Sequence, residues 1–360
     1  MMHTARASLM PSTPNQAVPI SYGLKTVRSR RGLEPRYTII VPRRNRNPRL
    51  VVTASDAVID VETVTGTTSL YAPKKKVKGK TVVITGGSQG CGKETALLFA
   101  RQGYNVVVAA REPERLQRVA RQIVGIAGYK RDAAGMAVVT DITDAKSVQE
   151  LADAVAAQYD TVDVLINNAG VCCTGPFADT SLDDWNSQMQ VNCLGAVAVT
   201  KAFLPLIETS RGAIVNVNSF GGVMPLKNMT AYTASKYALA GFTDALRYEL
   251  SPKGVHVAQV HPGIINSDFM ERAQFRGEDA AVAANRLTET LQNGMGGIVQ
   301  KPEEIAQAVW EAVTKKKEEI VVGPFFAAAV QGYRSFGANP FAVDVPEIPQ
   351  IGIPKPKLPF

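Results

Sequence analysis

The feature that most constrains the fold of this 360-residue chain is a glycine-rich segment between an apolar stretch and an amphipathic one. Residues 80–85 (KTVVIT) are mostly β-branched, as in a buried parallel strand. Residues 85–92 (TGGSQGCG) contain four glycines, and residues 93–102 have helical periodicity. Glycines let the backbone approach a phosphate closely, and the N-terminus of the next helix faces its negative charge. The segment predicts a dinucleotide-binding α/β fold, although its G-x-x-x-G-x-G spacing differs from the commoner G-x-G-x-x-G.

The end of the second predicted strand bears on the choice of dinucleotide. Asn105–Ala110 (NVVVAA) is followed by Arg111, and the first acid is Glu112. An acid at the strand end would accept hydrogen bonds from the ribose 2′-hydroxyl of NAD, whereas a guanidinium matches the 2′-phosphate of NADP. We therefore predict NADP(H) as the preferred cofactor, with NAD(H) as the alternative if Arg111 is only a surface residue at a helix start.

A tyrosine and a lysine further along the chain form a potential acid–base pair. Tyr232 and Lys236 are four residues apart in the predicted helix Thr230–Leu250, so they lie on one helical face. A nearby positive charge favours the phenolate, and a tyrosine tuned in this way can exchange a proton with a carbonyl or alcohol oxygen. The Y-x-x-x-K pattern alone is also typical of exposed helix faces, so its interpretation depends on the rest of the chain.

Several motifs in a fixed order give the chain a specific resemblance. T-G-x-x-x-G-x-G is matched at residues 85–92, and N-N-A-G at residues 167–170. Over roughly residues 79–323 the chain resembles the short-chain dehydrogenase/reductase family, whose four catalytic positions are matched by Asn192, Ser219, Tyr232 and Lys236. The resemblance implies a doubly wound Rossmann-type α/β domain with a seven-stranded parallel sheet flanked by helices.

The resemblance also implies a reaction. Tyr232 would act as general acid–base, and Lys236 would lower its pKa and hold the ribose. Ser219 would orient the substrate carbonyl, and Asn192 would bend its helix and hold a water in a proton relay with Lys236. The expected activity is NADP(H)-dependent interconversion of a ketone or aldehyde and an alcohol by hydride transfer. The alternative is an NADPH-binding regulatory or scaffold protein without turnover, against which the four filled positions argue.

Motif and resemblance together predict the cofactor contacts. They are Thr85, Gly86, Ser88, Gln89, Gly90, Gly92, Arg111, Asp141, Asn168, Ala169, Gly170, Tyr232, Lys236, Pro262, Gly263 and Ser267. Asp141 follows the predicted strand 136–140 and is interpreted as a partner of the adenine amino group, as a helix N-cap, or as both. Ser267 replaces the threonine that commonly follows the P-G turn of the family, which leaves the carboxamide partner open. His261, just before that turn, is interpreted as a strand-end residue.

Residues 268–300 occupy the variable substrate lid of the family. Its apolar residues are candidates for a pocket wall and favour a lipophilic carbonyl substrate, whereas its arginines are candidates for contacts with an acidic substrate. The apolar set is Phe269, Met270, Phe275 and the helical run 280–291, and the arginines are Arg272, Arg276 and Arg286. Ordinary packing and solvated faces are the alternative for both sets.

The positive charge of the chain is confined to its beginning. The whole sequence carries a formal +8, but residues 1–55 alone contain ten Lys and Arg and one acid, so the remainder carries −1. A nucleic-acid partner of the folded part is therefore excluded as an explanation of the charge. The Arg-, Ser- and Thr-rich leader lacks a secretory apolar core and predicts a transit peptide over residues 1–54, with chloroplast favoured over mitochondrion. A basic tail that stays attached is the alternative, and residues 55–78 are interpreted as a linker.

Other segments bear on ligands and partners. Four cysteines and three histidines have no metal-like spacing, so we predict neither a metal site nor a structural disulfide. No apolar run approaches the roughly 20 residues that cross a bilayer. In the extension 324–360, residues 325–336 predict a helix that either contacts a membrane surface or partner or straps over the core. The resemblance implies a homo-oligomer formed through helices 182–208 and 230–250.

Overall fold

The computed structural model describes residues 37–40, 51–53, 76–127, 135–267, 269, 272–293 and 298–337. The strands are β1 (Tyr37–Ile40), β2 (Val51–Thr53), β3 (Thr81–Thr85), β4 (Asn105–Ala110), β5 (Gly135–Val139), β6 (Val164–Asn167), β7 (Cys173–Thr174), β8 (Ala213–Val217), β9 (His256–His261), β10 (Gln274–Phe275) and β11 (Glu319–Val321). The α-helices are α1 (Gly90–Arg101), α2 (Pro113–Ala127), α3 (Ala145–Gln158), α4 (Leu182–Met189), α5 (Gly195–Ser210), α6 (Thr230–Leu250), α7 (Ala280–Asn293), α8 (Pro302–Thr314) and α9 (Pro324–Phe336).

Seven parallel strands form the centre of the sheet in the order β11-β9-β8-β6-β3-β4-β5. This confirms the predicted seven-stranded doubly wound sheet. The chain runs outward from β3 through β4 to β5, and then returns to β6 on the other side of β3. Ligands of such sheets bind beyond the carboxyl ends of the strands, at the point where the strand order reverses. The topology therefore sets the candidate site at the ends of β3 and β6.

Two further strands extend one edge of the sheet. β1 pairs in parallel with β5, and β2 pairs antiparallel with β1, which makes nine strands in all among the described residues. Both strands belong to the segment predicted as a transit peptide. The rest of that segment, and residues 55–75 of the predicted linker, lie outside the described residues.

Strand β3 is buried on both sides because helices cover both faces of the sheet. Val82 and Ile84 face one apolar layer together with Phe99 of α1, a layer that also contains residues of α2 and α8. Val83 faces the opposite layer together with Phe203 of α5, and α3 contributes to that layer. The continuous β-branched sequence of β3 is thus explained by burial on two faces, as the sequence predicts.

A continuous helical segment runs from α4 into α5 through a π-helical turn at Gln190–Leu194. Among the described residues this is one helix of 29 residues, Leu182–Ser210. One 18-residue window of it has a mean hydropathy of 1.4, which by length and composition alone is enough to cross a membrane. Val199, Phe203 and Ile207 recur every four residues and are fully buried against the sheet, so the apolar composition serves core packing.

The first part of the C-terminal extension packs onto the core. Helix α9 contributes Phe326 and Val330 to an apolar cluster that also contains Phe220, Met224 and Leu226. Residues 324–336 thus strap over the sheet edge, which is one of the two arrangements that the sequence left open. The proline-rich residues after 337 lie outside the described residues.

Candidate active site

A cavity of about 410 Å³ lies at the carboxyl ends of the central strands. All the predicted cofactor contacts line it except Thr85 and Gly92. Three of the four residues at the family's catalytic positions line the same cavity, namely Ser219, Tyr232 and Lys236. Segments as far apart in sequence as Gly86 and Arg272 therefore meet at the point predicted by the strand order.

The glycine turn has the backbone geometry that its sequence suggests. Gly86 has φ +65° and Gly90 has φ +52°, conformations that a residue with a side chain rarely adopts. A Cβ on Gly92 would lie 2.4 Å from both Asn168 Nδ2 and the carbonyl oxygen of Gly86. Gly86 and Gly90 shape the turn, and Gly92 lets helix α1 pack closely against the neighbouring loop.

Thr85 and Asn168 tie the glycine turn to the N-N-A-G loop. The Thr85 hydroxyl accepts hydrogen bonds from the amides of Asn168 (3.1 Å) and Ala169 (3.2 Å). In return, Asn168 Nδ2 donates to the carbonyl oxygens of Thr85 (3.0 Å) and Gly86 (3.2 Å). Thr85 and Gly92 therefore support the cavity from behind and are not among its lining residues. Their direct contact with a cofactor stays a prediction.

Buried polar atoms without partners lie in the wall of the cavity. Both side-chain polar atoms of Gln89 and the hydroxyl of Ser267 have no hydrogen-bond partner among the described residues. Unsatisfied buried polar groups are uncommon in folded proteins and are accounted for by a polar ligand. Together with the glycine turn at the start of α1, these atoms fit a dinucleotide with its pyrophosphate at the helix N-terminus.

Two guanidinium groups line the end of the cavity beside β4. Arg111 and Arg115 both line it, and neither has an ion pair or hydrogen bond with another described residue. The sequence predicted Arg111 but missed Arg115. No local signal marks Arg115, because Arg111 precedes helix α2 and Arg115 lies within it.

Asp141 lines the cavity but does not cap helix α3. Its Oδ1 accepts from the amide (3.0 Å) and hydroxyl (2.7 Å) of Thr143. The N-cap of α3 is Asp144, which accepts from the amide of Lys146 at 3.0 Å. The helix-cap interpretation of Asp141 is therefore wrong, and its position in the wall remains consistent with a contact to the adenine amino group.

Tyr232 and Lys236 lie on one buried face of α6. Their exposed fractions are 6% and 4%, and Lys236 Nζ lies 5.9 Å from the centre of the Tyr232 ring. Lys236 Nζ also donates to the carbonyl oxygen of Val217 on β8 at 3.2 Å. Ser219 follows β8, where its hydroxyl accepts from the amide of Gly221 (3.1 Å) and shares a hydrogen bond with Tyr232. Helix α6 and strand β8 thus hold the three side chains together.

Burial dominates the ionisation of both α6 residues. Desolvation raises the pKa of Tyr232 above its usual value, and the hydrogen bond with Ser219 opposes this only in part. Desolvation lowers the pKa of Lys236 to about 8, against smaller opposing effects of Cys172 and Cys193. The predicted lowering of the Tyr232 pKa by Lys236 is thus not found in this structure, because exclusion of water from the phenol penalises the phenolate.

Asn192 lies apart from the cavity wall, in the π-helical turn. Its side chain is 1% exposed and donates to the carbonyl of Val171 (2.9 Å) and to the hydroxyl of Ser235 (3.0 Å). The turn interrupts the regular α-helix at Asn192, and such π-bulges occur often at functional sites. Both protons of Asn192 Nδ2 are thus donated to protein groups. A water of the predicted relay could therefore bond to an oxygen atom of Asn192 and to Lys236, but not to Nδ2.

The wall beyond Tyr232 is mainly apolar. It comprises Phe220, Leu226, Met229, Ile264, Ile265 and Phe269. Neither Phe275 nor any described side chain of α7, which were predicted as pocket walls, is among the lining residues. Met270 lies outside the described residues. The apolar wall is therefore built largely by the loop after β8 and the segment after β9.

The lid arginines differ from one another. Arg272 lines the cavity, as expected for a substrate contact. Arg276 instead donates to Asp184 of α4, from Nε at 3.0 Å and from Nη2 at 2.6 Å, and does not line the cavity. Its prediction as a substrate contact is corrected, because this ion pair holds the lid onto α4. The side chain of Arg286 lies outside the described residues.

The thiols of this region are unreactive by burial. Cys91 and Cys172 line the cavity, and desolvation raises the pKa of each to about 12. Among the described residues, no group of three or more His, Cys, Asp or Glu side chains is placed to hold a metal ion. We therefore assign no metal site to the described residues.

Comparison with known proteins finds relatives of the sequence. Residues 80–277, more than half of the chain, match the family described as short chain dehydrogenase. The chain is also 32% identical over 252 residues to the Drosophila melanogaster protein "Dehydrogenase/reductase SDR family protein 7-like". That alignment covers 69% of this chain and 74% of the fly protein.

Solved structures share the fold. A short chain dehydrogenase/reductase from Burkholderia phymatum, in complex with NAD, matches with a TM-score of 0.64 at 25% identity, covering 72% of this chain and 94% of that chain. An alcohol dehydrogenase from the archaeon Thermococcus sibiricus, complexed with 5-hydroxy-NADP, matches with a TM-score of 0.56 at 24% identity, covering 68% and 95% respectively. The second likeness concerns the fold alone.

Proposed function

Because the chain belongs to the short chain dehydrogenase family, we propose that it is an NADP(H)-dependent oxidoreductase that interconverts a ketone or aldehyde and an alcohol. The observation that carries the proposal is the meeting of Ser219, Tyr232 and Lys236 in one cavity with the glycine turn. A hydroxyl pair that can bind a carbonyl oxygen thus shares a wall with a site for a dinucleotide. The bound dinucleotide would supply the hydride.

The protein supplies orientation and a proton. Ser219 and Tyr232 line the same cavity and interact with each other, so a substrate carbonyl oxygen placed beside them can accept from both hydroxyls. Burial raises the pKa of Tyr232, so the phenol stays protonated at neutral pH and can act as the acid that protonates this oxygen. A protonated tyrosine suits the reductive direction, and we propose reduction as the working direction.

Two features support NADP(H) over NAD(H). Arg111 and Arg115 line the cavity without partners, so neither guanidinium is neutralised by a described carboxylate. Guanidinium groups bind phosphate by paired hydrogen bonds, and two of them favour the extra 2′-phosphate of NADP. Relatives in the family include a protein solved with NAD, so the choice within this cofactor class depends on these two residues.

The apolar wall supports a lipophilic carbonyl substrate. The residues of this wall are aromatic or aliphatic, and the charged side chain of Arg272 also lines the cavity. A substrate with an apolar body would bury its surface here, which contributes roughly 25 cal/mol per Å².

Exposed apolar side chains support a homo-oligomer. Leu182 of α4 is 81% exposed and Tyr248 of α6 is 80% exposed, and both helices were expected at a subunit interface. Light scattering of the purified chain measures the oligomeric state. A monomer at micromolar concentration would contradict this part of the proposal.

We also propose import into the chloroplast, on the charge of +9 over residues 1–55 and the composition of the leader. Residues 1–54 fused to a fluorescent protein should direct it to plastids of plant or algal cells. Fluorescence in mitochondria or the cytosol would contradict the proposal. Sequencing the N-terminus of the mature protein would also show whether β1 and β2 are retained.

The activity is tested by following NADPH consumption with a panel of lipophilic ketones and aldehydes. Tyr232→Phe should keep NADPH affinity while turnover falls by about 10² or more, as loss of acid–base catalysis gives. Tyr248→Phe, an exposed tyrosine of the same helix, is the matched control and should keep wild-type turnover. Near-normal turnover in Tyr232→Phe would refute the assignment. NADPH binding without turnover of any carbonyl would favour the regulatory alternative.

A further inference from the structure

His261 is fully buried at the carboxyl end of β9, just before Pro262 of the cavity wall. Its Nδ1 lies 2.8 Å from the main-chain carbonyl oxygen of Ser219. Its Nε2 lies 3.2 Å from Oε1 of Glu319, close enough for an ion pair though not aligned for a straight hydrogen bond. Carbonyl and carboxylate oxygens only accept hydrogen bonds. A ring with a proton on each nitrogen would donate to both oxygens, whereas a neutral ring would set a nitrogen lone pair against one of them.

Glu319 is held on its other side by helix α9. Arg334 donates from Nη1 to Oε2 and from Nη2 to Oε1, both at 2.8 Å. The Arg334 fork, followed by the contact with His261, holds the pKa of the Glu319 carboxyl well below its usual range. A carboxylate kept ionised in this way stabilises a positive charge beside it. A chain of contacts thus leads from α9 through the imidazole ring to the carbonyl group of Ser219.

The same helix also reaches the site at two other points. The ring of Phe326 packs against Phe220 in the loop after β8, with ring centres 4.9 Å apart. Tyr333 shares a hydrogen bond with Tyr237, which is adjacent to Lys236 on α6. Helix α9 lies beyond residues 80–277, so these contacts come from a part of the chain outside the family match.

We propose that His261 is a positioning residue that, as an imidazolium, holds the backbone at Ser219. Glu319 keeps the second proton on the ring and Arg334 keeps Glu319 in place, so helix α9 belongs to the scaffold of the active site. The Ser219 carbonyl also accepts from the amide of Gly222 at 2.9 Å, and the charged donor adds a second restraint to this turn. The catalytic consequence rests on the proposed function, whereas the restraint itself involves only protein groups.

A matched pair of substitutions in the full chain separates positioning from packing. His261→Asn keeps a donor near the position of Nδ1 and loses the reach to Glu319, whereas His261→Gln reaches Glu319 and loses the donor to Ser219. We expect kcat to fall about tenfold in His261→Gln, equivalent to about 1.4 kcal/mol, and less than about threefold in His261→Asn. The KM for the carbonyl substrate and the Kd for NADPH should stay within about twofold in both. A role in packing alone would affect the two variants alike.

The protonation state of the ring is a second, independent readout. The chain has three histidines, so ¹⁵N-histidine NMR gives few signals, and His261→Asn identifies the one that belongs to His261. At pH 7 we expect protonated signals from both ring nitrogens in the wild type and from one in Glu319→Gln. Glu318→Gln is the control, because the Glu318 side chain is 65% exposed and contacts Arg247 rather than His261.

The outcomes distinguish this inference from the proposed function. Equal loss of kcat in the two His261 variants, or a singly protonated ring in the wild type, would overturn the inference. If the wild type reduces no carbonyl compound, the proposed function fails, and amide hydrogen exchange at Phe220–Gly222 then decides the inference. Exchange there should be faster in His261→Gln than in His261→Asn, and equal rates would overturn it.

Discussion

Asn192 and Val171 form a reciprocal pair, in which the side-chain amide of one bonds to both backbone groups of the other. The amide of Val171 donates to Asn192 Oδ1 at 2.8 Å, and Asn192 Nδ2 donates to the Val171 carbonyl at 2.9 Å. Val171 follows the N-N-A-G loop, whereas Asn192 lies in the π-helical turn. The pair therefore fastens the bent helix to the loop that lines the cavity.

This pair predicts a stability effect. Asn192→Ala removes three hydrogen bonds and leaves buried groups of Val171 and Ser235 unsatisfied, so the free energy of unfolding should fall by about 2 kcal/mol or more. Urea unfolding followed by fluorescence measures it. Asn186→Ala, at an exposed position of α4, should change stability by less than about 0.5 kcal/mol. An equal effect of both substitutions would contradict the structural role of the pair.

The partnerless guanidinium groups predict the cofactor preference. Arg111→Ala and Arg115→Ala should each weaken NADPH binding by about tenfold or more, since each removes charge-assisted bonds to a phosphate. The affinity for NADH, which lacks the 2′-phosphate, should stay within about twofold. Fluorescence titrations with both cofactors measure this, and Arg118→Ala provides a control, since Arg118 is exposed on α2 and does not line the cavity. Equal losses for NADPH and NADH would remove the argument for NADP(H).

The burial of Lys236 predicts an unusual titration. Desolvation lowers its pKa to about 8 in the protein without cofactor, whereas exposed lysines titrate near 10.4. Direct ¹⁵N NMR of lysine side chains over pH 6–11 should therefore show one lysine signal whose titration midpoint lies about two pH units or more below that of the other lysines. Lys236→Met assigns that signal by its disappearance. Titration of every lysine together near pH 10 would show that the ammonium is solvated in solution.

The ion pair between Arg276 and Asp184 predicts a pH-dependent contribution to stability. Its hydrogen bonds lower the pKa of the Asp184 carboxyl in the folded state, so the folded protein binds fewer protons than the unfolded chain in acid. The contribution is therefore complete above the unfolded pKa of about 3.9 and is lost as the pH falls through the lower folded value.

Asp184→Asn should consequently be less stable than the wild type by about 1–2 kcal/mol between pH 5 and 7, with the difference shrinking below about pH 3. The lower end of that range reflects the partial exposure of the Arg276 side chain, which is 36%. Denaturant unfolding at a series of pH values measures it, with the exposed neighbour Asp183→Asn as control. A difference that persists unchanged at pH 2–3 would contradict the assignment to this ion pair.

Local sequence was sufficient where a structural feature depends on neighbouring residues. The β-branched run of β3, the four glycines and the following helix predicted the dinucleotide turn, because strand, turn and helix preferences act over a few residues. The seven-stranded sheet followed from the ordered motifs and is confirmed. The approximate helix boundaries were also predicted, and α6 was found at Thr230–Leu250 as expected.

Contacts between distant segments were not predictable in the same way. Arg276 looked like a substrate contact until its pairing with Asp184, 92 residues away in sequence, was seen. Arg115 was overlooked because nothing in its own segment shows that it faces a cavity. The helical apolar run 280–291 was predicted as a pocket wall, but the described lining residues of the apolar wall come from segments after β8 and β9.

The sequence by itself determined the fold class and the glycine turn, since these depend on local patterning and on motifs in a fixed order. The four residues at the catalytic positions are predictions from the resemblance to the family. Only the tertiary structure decided the electrostatics of the site. The pKa of Tyr232 is raised because packing excludes water from the phenol, and the ring of His261 lies between two oxygen atoms, from Ser219 and Glu319, that are remote from it in sequence. Desolvation and charge pairing depend on which groups surround an atom in space, and the folded chain brings those groups together from remote parts of the sequence.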